Sequence, residues 1–246
     1  MASESLNGIV VSYADYKDND RILTLFTIEK GRVDCKVRNC RKPTAPFLAC
    51  SQLFVFGEYT LFTSKQHSTL NSCDIKETFF PIREDPDRFM IGSLILRLCL
   101  TASEQDVQNE PLFFLLYRTL SFLAYSETDS KDLLCGFLAH YLDIIGYRPI
   151  LTNCAVCHRD VRNEEVLFYS PSAGGTVCVT CPHGSDPVNK TALEAIRRIL
   201  LLSDNELNRI KMPDTLCKDV LFLLYLSLEE INGQDDKSVQ FLKQFL

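Results

Sequence analysis

Two cysteine pairs constrain this chain more than anything else in it. Cys154-Ala-Val-Cys157 and Cys178-Val-Thr-Cys181 are separated by twenty residues, giving the pattern C-x2-C-x20-C-x2-C. The first pair alone is ambiguous. With His158 behind it, it has the form of a c-type haem attachment site, of a redox dithiol or of half a zinc site. The second pair favours zinc: haem leaves it unexplained, and a thioredoxin-like site needs a βαβ pattern that is missing here. Disulfides are a fourth reading, disfavoured in a reducing compartment. Each C-x-x-C turn can hold two thiolates about 2.3 Å from one tetrahedral ion. The intervening segment can fold back as a hairpin, with Glu165 to Ser170 strand-like, Pro171 to Gly175 turn-forming and Thr176 to Cys178 returning. His158 and His183 each neighbour a pair and could replace a cysteine, but the symmetric spacing needs neither. Four thiolates close the coordination shell and leave no position for a substrate. The expected metal is therefore one structural Zn2+ per chain, on Cys154, Cys157, Cys178 and Cys181.

The other seven cysteines are scattered singly, mostly among apolar residues, and read as buried free thiols. No basic segment precedes an apolar run at the start, and no apolar run reaches the roughly 18–20 residues of a membrane span. These absences give the expectation of a cytoplasmic protein without membrane contact.

The first eighty residues read as five short strands rich in β-branched and aromatic residues: 8–13, 21–28, 31–38, 53–64 and 69–79. That content suits a small closed barrel such as an OB-fold, and an SH3-like barrel has similar content. From Pro81 the periodicity turns helical. Asp85 and Pro86 offer an N-cap and first helical residue, and further helices are expected over 111–125 and 131–146. After the cysteine segment, Asn189 or Thr191 can cap a helix, Ser203 and Glu206 match a capping box, and Asp214 can cap a long final helix ending near Gly233. A short helix over 238–246 completes the chain. The expected layout is multi-domain α+β: a β-barrel domain at 1–80 and a helical domain at 81–246, with a zinc-binding insertion at 151–188.

The net charge of −6 means that any nucleic-acid role must come from a local basic surface. One exists. Between Lys30 and Pro46 lie Lys30, Arg32, Lys36, Arg38, Arg41 and Lys42 against Asp34 alone. On a strand, Val33, Cys35 and Val37 point one way and Arg32, Asp34, Lys36 and Arg38 the other. Lys17 and Arg21 lie on a neighbouring segment. Strand alternation alone would give a solvated charged face. The excess of one sign on the expected barrel favours single-strand binding, which uses a basic groove and stacked aromatics, for which Tyr13, Tyr16 and Tyr59 are candidates.

The stretch "GIVVSYADYKDNDRILTLFTIEKGRVDCKVRNCRKP" resembles the opening of the bacterial RecO DNA repair proteins. Further on, "LDIIGYRPILTNCAVC" and "FYSPSAGGTVC" resemble that family's L-G-Y-x-P-x-L-x-x-C-x-x-C and F-S-P-x-x-G-G-x-x-C patterns, in matching order along nearly the whole chain. The resemblance implies an N-terminal OB-fold, a helical domain and a zinc finger within it. It implies a non-enzymatic recombination mediator that binds single- and double-stranded DNA and anneals complementary strands. With RecR, such a protein helps RecA displace single-stranded DNA-binding protein. Carried onto this chain, Arg32, Lys36, Arg38, Arg41 and Lys42 would contact DNA, with Arg21 and Lys30 beside them. A groove of the α domain would receive the acidic, apolar C-terminal tail of single-stranded DNA-binding protein, with Arg197 and Arg198 as possible contacts. The setting would be the bacterial cytoplasm, at the nucleoid during repair.

Two alternatives remain at this level. A zinc-dependent nucleic-acid enzyme needs a catalytic constellation, and none of His67, His140, His158 and His183 sits in an H-x-E or H-E-x-x-H motif. The other alternative, a structural zinc scaffold without a DNA role, is separated by a salt titration of single-strand binding: for it, log affinity would not fall with log salt. For a DNA binder, Arg32→Ala or Lys36→Ala is expected to flatten the salt slope by roughly one unit each.

Overall fold

The computed structural model describes residues 2–64, 67–181 and 187–246. The chain divides into two compact units, Met1–Tyr125 and Ser126–Leu246.

The first unit is built on five strands: β1 (Ala2–Tyr16), β2 (Asp20–Thr27), β3 (Gly31–Val37), β4 (Phe56–Ser64) and β5 (His67–Glu77). They close into a barrel in the order β1-β2-β3-β5-β4, with β1 also pairing β4. Only β3 and β5 run parallel. This is the OB-fold arrangement, with the five strands expected. Alternation builds the core: Leu23 and Leu25 of β2, Val33, Cys35 and Val37 of β3, and Tyr59 and Leu61 of β4 converge inside. Burying each such side chain contributes about 1.5–3 kcal/mol. The fourth strand begins later than its composition suggests. Phe54 has φ +72°, and Phe54 N–H donates to Val10 O (3.1 Å) while Val55 O accepts from Val10 N–H (3.0 Å). These residues plug the β1 bulge between Val10 and Ser12 instead of extending β4.

A short helix, α1 (Pro81–Glu84), is followed by α2 (Pro86–Ala102) and α3 (Glu110–Tyr125). Asp85 caps α2 as expected, accepting from the N–H groups of Asp87 and Arg88. These helices cover one outer flank of the barrel: the Phe26 ring is 5.7 Å from Phe113, and Phe56 is 5.1 Å from Tyr117. Gly31 fixes the approach. At φ +63°, a Cβ there would stand 1.9 Å from Val107 O.

The second unit holds α4 (Ser130–Ile144), the hairpin β6 (Leu167–Ser170) and β7 (Gly175–Cys178), α5 (Lys190–Ile199), α6 (Asp214–Asn232) and α7 (Lys237–Leu242). Asn189 caps α5. The capping box of Ser203 and Glu206 forms, but it heads a 3-10 segment, Asp204–Arg209. Pro213, not Asp214, takes the cap position of α6, so Asp214 acts on the helix dipole from the first turn. Leu134, Phe137 and Leu138 of α4 and Leu221, Leu224 and Leu228 of α6 are buried. The hairpin is tied in by Tyr169, whose hydroxyl lies 2.6 Å from Ser227 Oγ. Among the described residues, no helix is long and apolar enough to cross a membrane.

Candidate nucleic-acid interface and metal centre

The hairpin brings the two cysteine pairs together. The Sγ atoms of Cys154, Cys157, Cys178 and Cys181 all lie within 4.8 Å of one another. Cys157 Sγ and Cys178 Sγ are 3.7 Å apart. Four sulfurs at about 2.3 Å from a tetrahedral ion sit about 3.8 Å from each other, so donor set and spacing both fit a four-thiolate zinc ion. The backbone prepares the site. Thr176 N–H donates to Ile150 O (2.8 Å) and Ala155 N–H to Thr176 O (2.8 Å), lashing the first knuckle to β7. Gly175 permits that contact, since a Cβ there would stand 2.3 Å from Ile150 O. The Thr180 hydroxyl is the largest influence on Cys178 and, with the neighbouring thiols, holds it down to about 5. Cys181 is pushed up to about 12, first by its bond with Cys178. His158 closes the first knuckle through its backbone, donating N–H to Cys154 O (2.9 Å) at φ +64°. Its side chain is outside the four-sulfur cluster. His183 lies outside the described residues.

Lys17, Lys36, Arg38, Arg41 and Lys42 gather at one end of the barrel, because the loop after β3 is stitched to the β1–β2 turn, whereas Lys30 and Arg32 lie toward the other end of the β2–β3 hairpin, where Thr27 pairs with Gly31. Asn39 N–H donates to Asp20 Oδ1 (2.8 Å), Arg41 N–H to Asn19 O (3.2 Å) and Arg41 Nη1 to Asp18 O (3.1 Å). Cross-strand register assigns faces. Tyr13 and Arg21 stand opposite Leu23 and Val37, on the core side of the ribbon, with Asp15 opposite Arg21. Ile22 and Lys36 stand opposite each other on the outer side, with Tyr16 in the same alternation. Each face carries a cation between an aromatic and a carboxylate. Arg21 lies 4.0 Å from the Tyr13 ring and 3.0 Å from Asp15. Lys36 lies 4.8 Å from the Tyr16 ring and 2.9 Å from Asp20.

The seven predicted DNA contacts therefore differ. Arg21, Lys30, Lys36 and Arg41 are ion-paired, to Asp15, Glu4, Asp20 and Asp15 respectively. Arg32 lies beside the covered flank, where its backbone bonds Glu104 and Asp106 and its Nε is buried without a hydrogen-bond partner among the described residues. Arg38 and Lys42 are exposed and in ion-pair contact with no carboxylate among the described residues. Tyr13 and Tyr16 are exposed, whereas Tyr59 is fully buried, donating to Cys50 O (3.1 Å). The carboxylates of Asp15 and Asp20 are what sequence reasoning missed. Their signal was present in "DYKDND", read only as a polar turn.

The second unit also carries a groove of about 760 Å³ between α5, the segment after Asp204–Arg209 and the start of α6. Leu167, Leu193, Ile210 and Leu216 line it, with Lys190, Arg198, Arg209 and Lys211 around them and Glu194 as its acid. Glu194 is held down to about 2, first by its bond with Arg197 and then by Arg198.

Comparison with known proteins covers both halves of the chain. The family model described as Recombination protein O N terminal matches residues 1–79, and Recombination protein O C terminal matches residues 83–239. A protein named DNA repair protein RecO from Desulfitobacterium hafniense is 32% identical over 221 residues, covering 87% of this chain and 80% of the relative. A protein of the same name from Bacillus cereus is 28% identical over 245 residues, covering 98% and 97%. One from Symbiobacterium thermophilum is 28% identical over 213 residues, covering 86% and 84%. With both family models matched in order across the barrel and the helical region, the chain belongs to the RecO family.

Proposed function

We propose that this protein is a DNA-binding recombination mediator in DNA repair, a binding protein rather than an enzyme, working in the bacterial cytoplasm at the nucleoid. It binds single- and double-stranded DNA at the basic end of the barrel and anneals complementary strands. With RecR it helps RecA load onto DNA coated by single-stranded DNA-binding protein. The observation that carries this reading is the convergence of Lys17, Lys36, Arg38, Arg41 and Lys42 beside the exposed Tyr13 and Tyr16, on an otherwise acidic chain.

The mechanism is electrostatic. Cations neutralise phosphates on two strands and reduce their repulsion, so that base pairing can nucleate. Arg38 and Lys42 contribute most, because they need not leave a carboxylate first. The tyrosine rings offer faces for unstacked bases. The groove on the second unit suits an acidic peptide with apolar side chains, such as the C-terminal tail of single-stranded DNA-binding protein: its floor is apolar and its rim mainly basic. The four cysteines would hold one zinc ion, which would cross-link the hairpin to the preceding loop and take no part in DNA chemistry.

A strand-annealing assay, with and without single-stranded DNA-binding protein, tests the proposal. The expected result is accelerated annealing of complementary oligonucleotides that persists on coated strands and weakens when the coating protein lacks its tail. No acceleration on naked strands would refute it.

A further inference from the structure

Asp15 holds two arginines at once. Its Oδ1 accepts from Arg21 Nε at 3.0 Å, and its Oδ2 lies 3.3 Å from Arg41 Nη2. Both guanidinium groups are also anchored elsewhere. Arg21 is stacked on Tyr13 at 4.0 Å and donates to Ser51 O at 3.4 Å. Arg41 donates to Asp18 O at 3.1 Å. Two forks thus converge on one spot at the solvent edge, filled by a planar anion with two oxygens and 47% side-chain exposure. A DNA phosphodiester presents the same chemistry, two anionic oxygens suited to arginine forks. Asp20 differs: its side chain is 16% exposed, and besides Lys36 it accepts from Asn39 N–H at 2.8 Å, so it holds the loop.

We infer that Arg21 and Arg41 form a backbone-phosphate subsite, and that Asp15 occupies it as a built-in competitor of single-stranded DNA. The inference rests on the DNA-binding reading above. The Arg41–Asp15 pair is exposed and contributes little to stability, so a phosphate can displace the carboxylate there at small cost, while Arg21, stacked on Tyr13, stays in place to receive it. The competitor keeps resting affinity low. It lets the protein release a strand once that strand has paired.

The test compares Asp15→Asn with Asp18→Asn in the full chain, using a fluorescein-labelled oligo-dT and a salt titration. Asp18→Asn removes the same formal charge, but the Asp18 carboxylate holds neither arginine. Asp15→Asn is expected to tighten binding about fivefold at low salt and to steepen the salt slope by about 0.7, one phosphate's worth. Asp18→Asn should tighten it by less than about twofold. Adding Arg41→Gln should cancel most of the Asp15→Asn gain, and Arg41→Gln should weaken binding more in the Asp15→Asn background than in the wild type, a coupling that a general charge effect would not produce. Equal effects of the two Asp substitutions, or weaker binding by Asp15→Asn with an unchanged melting curve, would overturn the inference. If Asp15→Asn melts early, Asp15→Ser is read by the same criteria. A wild-type slope near zero would instead defeat the DNA-binding reading itself.

Discussion

At the cysteine centre, four thiols converge within 4.8 Å, whereas at the basic end of the barrel Arg21, Lys36 and Arg41 sit against Asp15 and Asp20. The first arrangement gathers groups that repel one another once ionised, so an ion from outside the chain would stabilise it. The second is partly neutralised as folded: Arg21, Lys36 and Arg41 meet an outside anion only by exchange, while Arg38 and Lys42 meet it directly. A conspicuous motif and a quiet one therefore imply different roles. On the proposed reading, the cysteines would serve stability, and the cations would serve a partner that competes with Asp15.

The largest expected effect lies at the centre. Cys178→Ser should remove most of the bound zinc, measured by metal analysis, and destabilise the second unit by about 4 kcal/mol or more, as metal loss does in general. Full zinc retention in that variant would break the contrast. Next comes Gly175→Ala, whose Cβ would collide with the Ile150 backbone. It should lower the melting temperature of the second unit and accelerate zinc release to a chelator, leaving oligo-dT affinity unchanged. At the barrel end, Arg38→Ala with Lys42→Ala should flatten the single-strand salt slope by about 1.4. Arg32→Ala and Lys36→Ala should each do less, because one side chain is partly buried and the other already pairs with Asp20. The smallest effect concerns Glu194. Its carboxyl is held at about 2, below its ordinary 4.5. Its contribution is therefore full above about pH 4.5 and fades as pH falls toward 2. Melting curves of wild type and Glu194→Gln should differ most above about pH 4.5 and converge only below about pH 2.

Much of this was legible in the sequence where the signal is local. Alternation in "GRVDCKV" gave the inward Val33, Cys35 and Val37, and the hairpin between the cysteine pairs followed from its turn residues. Parallel pairing of β3 with β5 was not legible, because it joins strands more than thirty residues apart through backbone groups alone. Nor was the departure of Phe54 and Val55 from β4, which follows from a bulge on a distant strand. The seven cations could be read as a cluster, but not their neutralisation. That depends on folding the β1–β2 turn against the loop after β3, which sets Asp15 between Arg21 and Arg41. The groove draws its walls from four separate stretches between Leu151 and Leu216, so only Arg197 and Arg198 stood out beforehand.

The most direct test of the central claim, that the barrel end binds DNA phosphates, is the salt dependence of oligo-dT binding by the wild-type protein. Lys17, Arg38 and Lys42, the cations there in ion-pair contact with no carboxylate among the described residues, predict a slope of log affinity against log salt of about −2 or steeper, at about 0.7 per phosphate. A slope near zero would contradict it.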